Sequence, residues 1–165
     1  MMTPRVRKIV LTVHIATSVS WLGAVTGFLA LAITGLASED ARTVSGAYVA
    51  MGPLAWYAIL PLCLASLAIG VIQSIGTPWG LIRYYWVVMK LAITVLSTLI
   101  LVAHMQPIDS IANIAAQTAL AKGDHLAVRI QMVVASALAI LALPVPTARA
   151  GSSARGETRY GSAEG

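Results

Sequence analysis

Residues 9–36 read IVLTVHIATSVSWLGAVTGFLALAITGL. As a helix rising 1.5 Å per residue this uncharged run is about 42 Å long, against about 30 Å of hydrocarbon in a bilayer. Arg5, Arg7 and Lys8 precede it and Leu36-Ala37-Ser38 closes it, the outline of a secretory signal. A signal's apolar stretch is only about 7–15 residues, however. The length therefore predicts a retained spanning helix.

The rest of the chain agrees. Of 165 residues 58% are hydrophobic and 10% charged, with a mean hydropathy of +0.83, too apolar for an ordinary soluble domain. Eleven Lys and Arg against six Asp and Glu leave +5, spread too thinly for a nucleic-acid surface. The stretch from Thr43 to Ile82 is also uncharged, and Met51-Gly52-Pro53 suggests that a lead-in gives way there to a second span over about 53–75. Gly76-Thr77-Pro78-Trp79-Gly80 reads as a turn. A third span is expected over about 84–104, stopping before Pro107, and a fourth over about 126–143, stopping at Pro144 and Pro146.

The fold class that follows is all-α: a polytopic membrane four-helix bundle occupying residues 1–146. Asp109 to Ala121 has Ile108, Ile111, Ala115 and Thr118 at helical spacing, which predicts a short helix at 109–121 lying on the outer surface. The Gly-, Ser-, Ala- and Arg-rich residues 147–165 predict a disordered basic tail. No internal repeat is visible, which weakens an inverted-repeat transporter reading. With four spans, Arg5, Arg7, Lys8, Arg83, Arg149, Arg155 and Arg159 all fall on one side. The opposite loops carry Glu39, Asp40 and Arg42, then Asp109, Lys122 and Asp124. The excess of Lys and Arg in cytoplasmic loops then places both termini inside, at the plasma membrane. Trp79, Tyr84, Tyr85 and Trp86 suit the inner interface, and Tyr48, Trp56 and Tyr57 the outer one.

In lipid, helices associate by close packing of small residues. Gly23 and Gly27 form a GxxxG beside Ala16, Ser20 and Ala24. Ser66 with Gly70, and Ala135 with Ala139, repeat the spacing. Packing inside the monomer is the first reading and a homodimer seam through the first span its rival.

Few polar groups lie within the spans. Lys90 is six residues into the third, about 9 Å below the inner boundary, either snorkelling to the headgroups or facing the bundle. His14 is at similar depth in the first. His14, Ser18 and Trp21 share one face, and Lys90, Thr94, Ser97 and His104 line another. Together they could form a polar seam reaching Gln73. The alternative is local: Ser and Thr bonding back to their own helices and His14 meeting one neighbour. His104 and His125 lie at the outer ends, and with Asp124 as the nearby carboxylate they make a poor metal site. Cys63 is the lone cysteine and reads as a small core residue. No acidic residue lies inside the expected spans, and HExxH, GxSxG and phosphate-cradling glycine loops are missing.

Several phrases carry a resemblance: His14-Ile15-Ala16-Thr17-Ser18-Val19-Ser20-Trp21-Leu22-Gly23-Ala24-Val25, Leu64-Ala65-Ser66-Leu67, Gly76-Thr77-Pro78-Trp79-Gly80-Leu81 with Tyr85-Trp86-Val87-Val88-Met89-Lys90, and Thr158-Arg159-Tyr160-Gly161. From His14 to about Ala142 the chain resembles a bacterial family of four-helix integral membrane proteins classed by a domain of unknown function. The resemblance implies four spans and no established activity. Copper-resistance membrane proteins and four-helix b-type cytochromes are similar in shape only. The resemblance implies histidines in relatives near the positions of Ala135 and Tyr84; if family histidines hold a cofactor, this chain has lost those two ligands, which lowers the haem reading.

Three functions remain open. The first is a non-enzymatic scaffold, assembly or regulatory subunit, embedded in the lipid bilayer with a membrane protein or a second copy as partner and no cofactor. The second is a haem-b or metal-binding redox subunit using His14, for which the sequence offers no imidazole at matching depth. The third is a small carrier or channel using the Lys90 and His14 seam.

Overall fold

The computed structural model describes residues 3–76, 85–117 and 124–142. The described residues are helical apart from short caps and connections, in the order α1 (Pro4–Ala37), α2 (Ala41–Leu54), a π turn (Ala55–Ile59), α3 (Leu60–Gly76), α4 (Tyr85–Gln117) and α5 (Leu126–Ala142). The expected inner turn at 76–80 and the tail at 147–165 fall largely or wholly outside the described residues.

Local chemistry sets the first boundaries. Thr3 caps α1, its Oγ1 accepting from Val6 N, and Pro4 follows at the first helical position, where a missing N–H costs nothing. The helix ends where Ser38 N donates to Thr34 O at 3.0 Å. Asp40 then caps α2, accepting from Thr43 N at 3.0 Å and Thr43 Oγ1 at 2.6 Å. The connection is so short that α1 and α2 must run antiparallel.

Helices α2 and α3 are one rod with a π turn in the middle, so no break separates a lead-in from a span beginning at Pro53. Pro53 lies inside the helix, and Leu60 N reaches back five residues to Ala55 O. Pro61 has no N–H for the carbonyl one turn before it, and the wider turn takes up an extra residue there. That residue also corrects the facing. Met51, Ala55, Ile59 and Cys63, all buried, are four apart, a spacing that drifts around a regular helix of 3.6 residues per turn.

The structure overturns the stop expected before Pro107. Helix α4 runs unbroken from Tyr85 to Gln117 with Pro107 inside it, so residues 109–117 extend the third helix instead of forming a separate one. A proline in a helix interior costs about 3 kcal/mol, but beyond it Ile108, Ile111 and Ala115 are buried in the core, on the helix that packs most extensively against α2. Stopping at Pro107 would uncover them.

Helix α1 is central, touching α2, α3 and α5, while α4 packs on α2 and α3 and meets α5 only lightly. Three stretches, Pro4–Ala37, Ala41–Gln73 and Leu91–Gln117, are long and apolar enough to cross a membrane, and the apolar run Leu126–Leu141 is shorter. Ile9, Val19, Leu99, Leu138 and Leu141 are among many large apolar side chains pointing outward, more than an aqueous surface tolerates.

The core sits at one end. Trp21, Val25, Phe28 and Ala32 of α1 meet Val44, Tyr48 and Met51 of α2, Met105, Ile108 and Ile111 of α4, and Met132 of α5. We call this the distal end. At the other, proximal end, α1 has no buried residue from Pro4 to Ser20, and α3 has none beyond Ser66 among the described residues.

Candidate functional site

Polar side chains gather at two levels, one at each end. The distal level is built around Arg129, four residues into α5 and wholly buried. Its Nε–H donates to Tyr48 Oη at 2.9 Å, one terminal N–H donates to Gly35 O, and the other reaches Asp124 O at 3.5 Å. The guanidinium carbon lies 5.3 Å from the centre of the Tyr48 ring, within cation–π range.

This placement answers a need of α1. The last carbonyls of a helix lack intrahelical donors and carry partial negative charge, and α1 has no basic residue in its own last turn. Arg129 supplies that cation from another helix and so ties α1, α2 and α5 together. Gly35 permits the approach: a Cβ there would lie 2.7 Å from two carbons of the Tyr48 ring. Tyr48, expected at the outer interface, is instead fully buried, whereas Trp56 and Tyr57 do face outward.

The sequence reading missed Arg129, although a charge inside the apolar stretch 126–143 was the available signal. It also missed two cross-links nearby. Trp56 Nε1–H donates to both Asp109 carboxylate oxygens, at 2.8 and 3.0 Å. His104 Nδ1–H donates to Ile100 O at 2.7 Å, and Nε2 lies 2.9 Å from Gln131 Nε2. Both ring nitrogens of His104 are thus engaged within the bundle. Among the described residues no group of three or more His, Cys, Asp or Glu could hold a metal ion.

The proximal level lies between α1 and α3. Ser18 and Ser66 hydroxyls bond at 2.7 Å. One turn toward the proximal end the His14 ring packs on Gly70, its Cε1 3.1 Å from where a Cβ would stand. Four residues back along α1 are thus answered by four forward along α3. This antiparallel register brings Trp21 level with Cys63 and Leu11 level with Gln73. Thr98 Oγ1–H donates to Thr94 O at 2.8 Å, so the Cys63 thiol must donate to Thr98 across 3.2 Å. Trp21 Nε1 and Gln73 Oε1 are buried without a hydrogen-bond partner.

Of the residues expected in the seam, His14 and Ser18 come together on α1, but with Ser66 and Gly70 of α3, which were expected only as a packing pair. On α4 the buried polar residue is Thr98, with Thr94 and Ser97 half-buried beside it, and His104 belongs to the α4–α5 contact. Lys90 lies on α4, but its side chain is outside the described residues. Gly23 and Gly27 are exposed, with nothing within 4 Å of an added Cβ, so they make no packing contact among the described residues. Family models, curated proteins and solved structures were all compared with this chain, and none matches.

Proposed function

We propose that the protein is a non-enzymatic subunit embedded in a membrane, which associates through the exposed face of α1 with a second copy or another membrane protein. One observation carries this reading. Ser66 and Gly70 are consumed inside the bundle, whereas Gly23 and Gly27, in the middle of the most central helix, meet no neighbour among the described residues. Ala16, Ser20 and Ala30 are exposed as well, giving a groove of the kind that lets two helix backbones approach in lipid. The outward apolar surface supports membrane embedding, and the basic residues before α1 and after α5 support cytoplasmic termini. Arg129 does not oppose that orientation, because its charge is spent on protein acceptors rather than left in a loop.

The test is purification in mild detergent with a Gly27→Cys probe in a Cys63→Ala background, alongside Gly23→Ile/Gly27→Ile. A stoichiometric partner, or a disulfide-linked dimer through position 27, is expected, and the double isoleucine variant should lose it at unchanged monomer stability. A wild-type protein recovered alone and as a monomer would overturn the reading.

A further inference from the structure

Between α1 and α3 the hydrogen-bond bookkeeping does not close. The Trp21 indole is 5% exposed and its N–H has no acceptor. The Gln73 carbonyl oxygen, buried about three turns away along the same seam, has no donor. Between them Ser18 and Ser66 share one hydrogen bond, so whichever serine donates, the other's O–H is left over. Elsewhere on α1 the spare hydroxyls of Thr12, Thr17 and Thr26 bond back to carbonyls one turn earlier. Buried polar groups left unsatisfied cost about 1–3 kcal/mol each, and internal water normally fills such sites when it finds two to four polar partners. Here a donor, an acceptor and a hydroxyl pair lie on facing helices over ten residues of α1, about 15 Å.

We propose that the α1–α3 seam is a single-ended hydrated inlet, in which ordered water connects Gln73, the Ser18–Ser66 pair and the Trp21 indole. The file begins at the proximal end, where α1 has no buried residue. It stops at the level of Cys63, whose thiol is already bonded to Thr98. Beyond that level Val25, Phe28, Ala32, Ala55 and Ile59 close the path with apolar side chains. The ligand is water, held by the Gln73 amide, the serine hydroxyls and the indole, alongside the His14 ring that packs on Gly70 between them, and the inlet reaches about halfway along α1 without crossing to the Arg129 level. It is independent of association through Gly23 and Gly27, which face the other way.

Two measurements on the full chain in lipid nanodiscs test this. In protein labelled with ¹⁵N-tryptophan, with the Trp21 indole assigned by loss of its signal in Trp21→Phe, the N–H should show magnetisation exchange with water; an indole silent toward water overturns the inlet. In a Cys63→Ala background, silver ion, a cation of about water's size, should react with Ser66→Cys and Ser18→Cys roughly tenfold or more faster than with Ile59→Cys. Equal slow rates at all three sites overturn the inlet, and equal fast rates overturn its single-ended character.

Discussion

The two ends of this bundle handle polarity in opposite ways. At the distal end a fully ionised side chain is buried, yet its terminal and ε nitrogens are spent: on the end of α1, on a phenol from α2 and on the carbonyl preceding α5. At the proximal end the groups are mostly neutral and individually weak, but some are left over. The difference teaches that burial of charge is not by itself a mark of function. Arg129 is the costlier group to bury, and its satisfied surroundings read as a structural lock. The cheaper indole and amide are where solvent is needed.

Breaking the lock should have the largest effect. Arg129→Ala leaves Tyr48 Oη and Gly35 O without their donor, at about 1–3 kcal/mol for each buried group left unsatisfied, and adds the cost of a gap among three helices. Thermal or denaturant unfolding in detergent micelles should show that loss. Arg129→Lys keeps the charge but cannot fork between two acceptors, so it should recover roughly half. If the alanine variant unfolds like wild type, the distal end is not held by this residue.

Next in size is Gly35→Ala. The new methyl would meet the Tyr48 ring at 2.7 Å, and overpacking of a tight site costs about 1–3 kcal/mol. The comparison sharpens against Gly23→Ala and Gly27→Ala, which meet nothing among the described residues. Exchanging glycine for alanine in a helix favours it by up to about 1 kcal/mol, so these two should hold or raise monomer stability. Opposite signs for the same chemical change on one helix would separate the locked face from the outward one.

Ser66→Ala comes third. It removes the 2.7 Å bond to Ser18, and interhelical hydrogen bonds of this kind average about 0.6 kcal/mol in membrane proteins. A loss several times larger would mean that the proximal level is a lock like the distal one, and the contrast between the ends would disappear.

Much of the helix plan was legible in the sequence because it rests on run length and charge. The ends of α1 and α3 and the starts of α4 and α5 fall within about two residues of their expected positions, the usual scatter at helix boundaries. Proline was misread twice. Pro53 and Pro107 signal breaks locally, but packing against α2 and α4 overrides a single missing hydrogen bond, which no local pattern displays. On the polar residues helical spacing put His14 with Ser18 on one face and Ser66 with Gly70 on another, but it did not foresee that these two faces meet each other. It could not foresee the partner of Arg129, because Gly35, Tyr48 and Arg129 are joined only by tertiary register. Nor could it separate Gly23 and Gly27 from Ser66 and Gly70, whose spacing is identical and whose neighbours are not.

The smallest expected effect concerns the cap joining α1 to α2, next to the lock but exposed. Asp40 accepts from the Thr43 hydroxyl and backbone N–H, and these bonds hold its carboxyl below the ordinary value of 3.8. A carboxyl whose folded pKa is depressed contributes stability above its unfolded value and loses it as pH falls through the folded one. The stability difference between wild type and Asp40→Ala should therefore be constant near neutral pH and shrink as pH falls through 3.8 and below. Asp40→Asn keeps an acceptor at the cap, since asparagine caps about as well as aspartate. It should retain the neutral-pH stability and abolish the acid-dependent step. If Asp40→Ala behaves like wild type at every pH, the short α1–α2 connection is held by Arg129 bridging Gly35 and Tyr48 from inside, and the cap contributes nothing of its own.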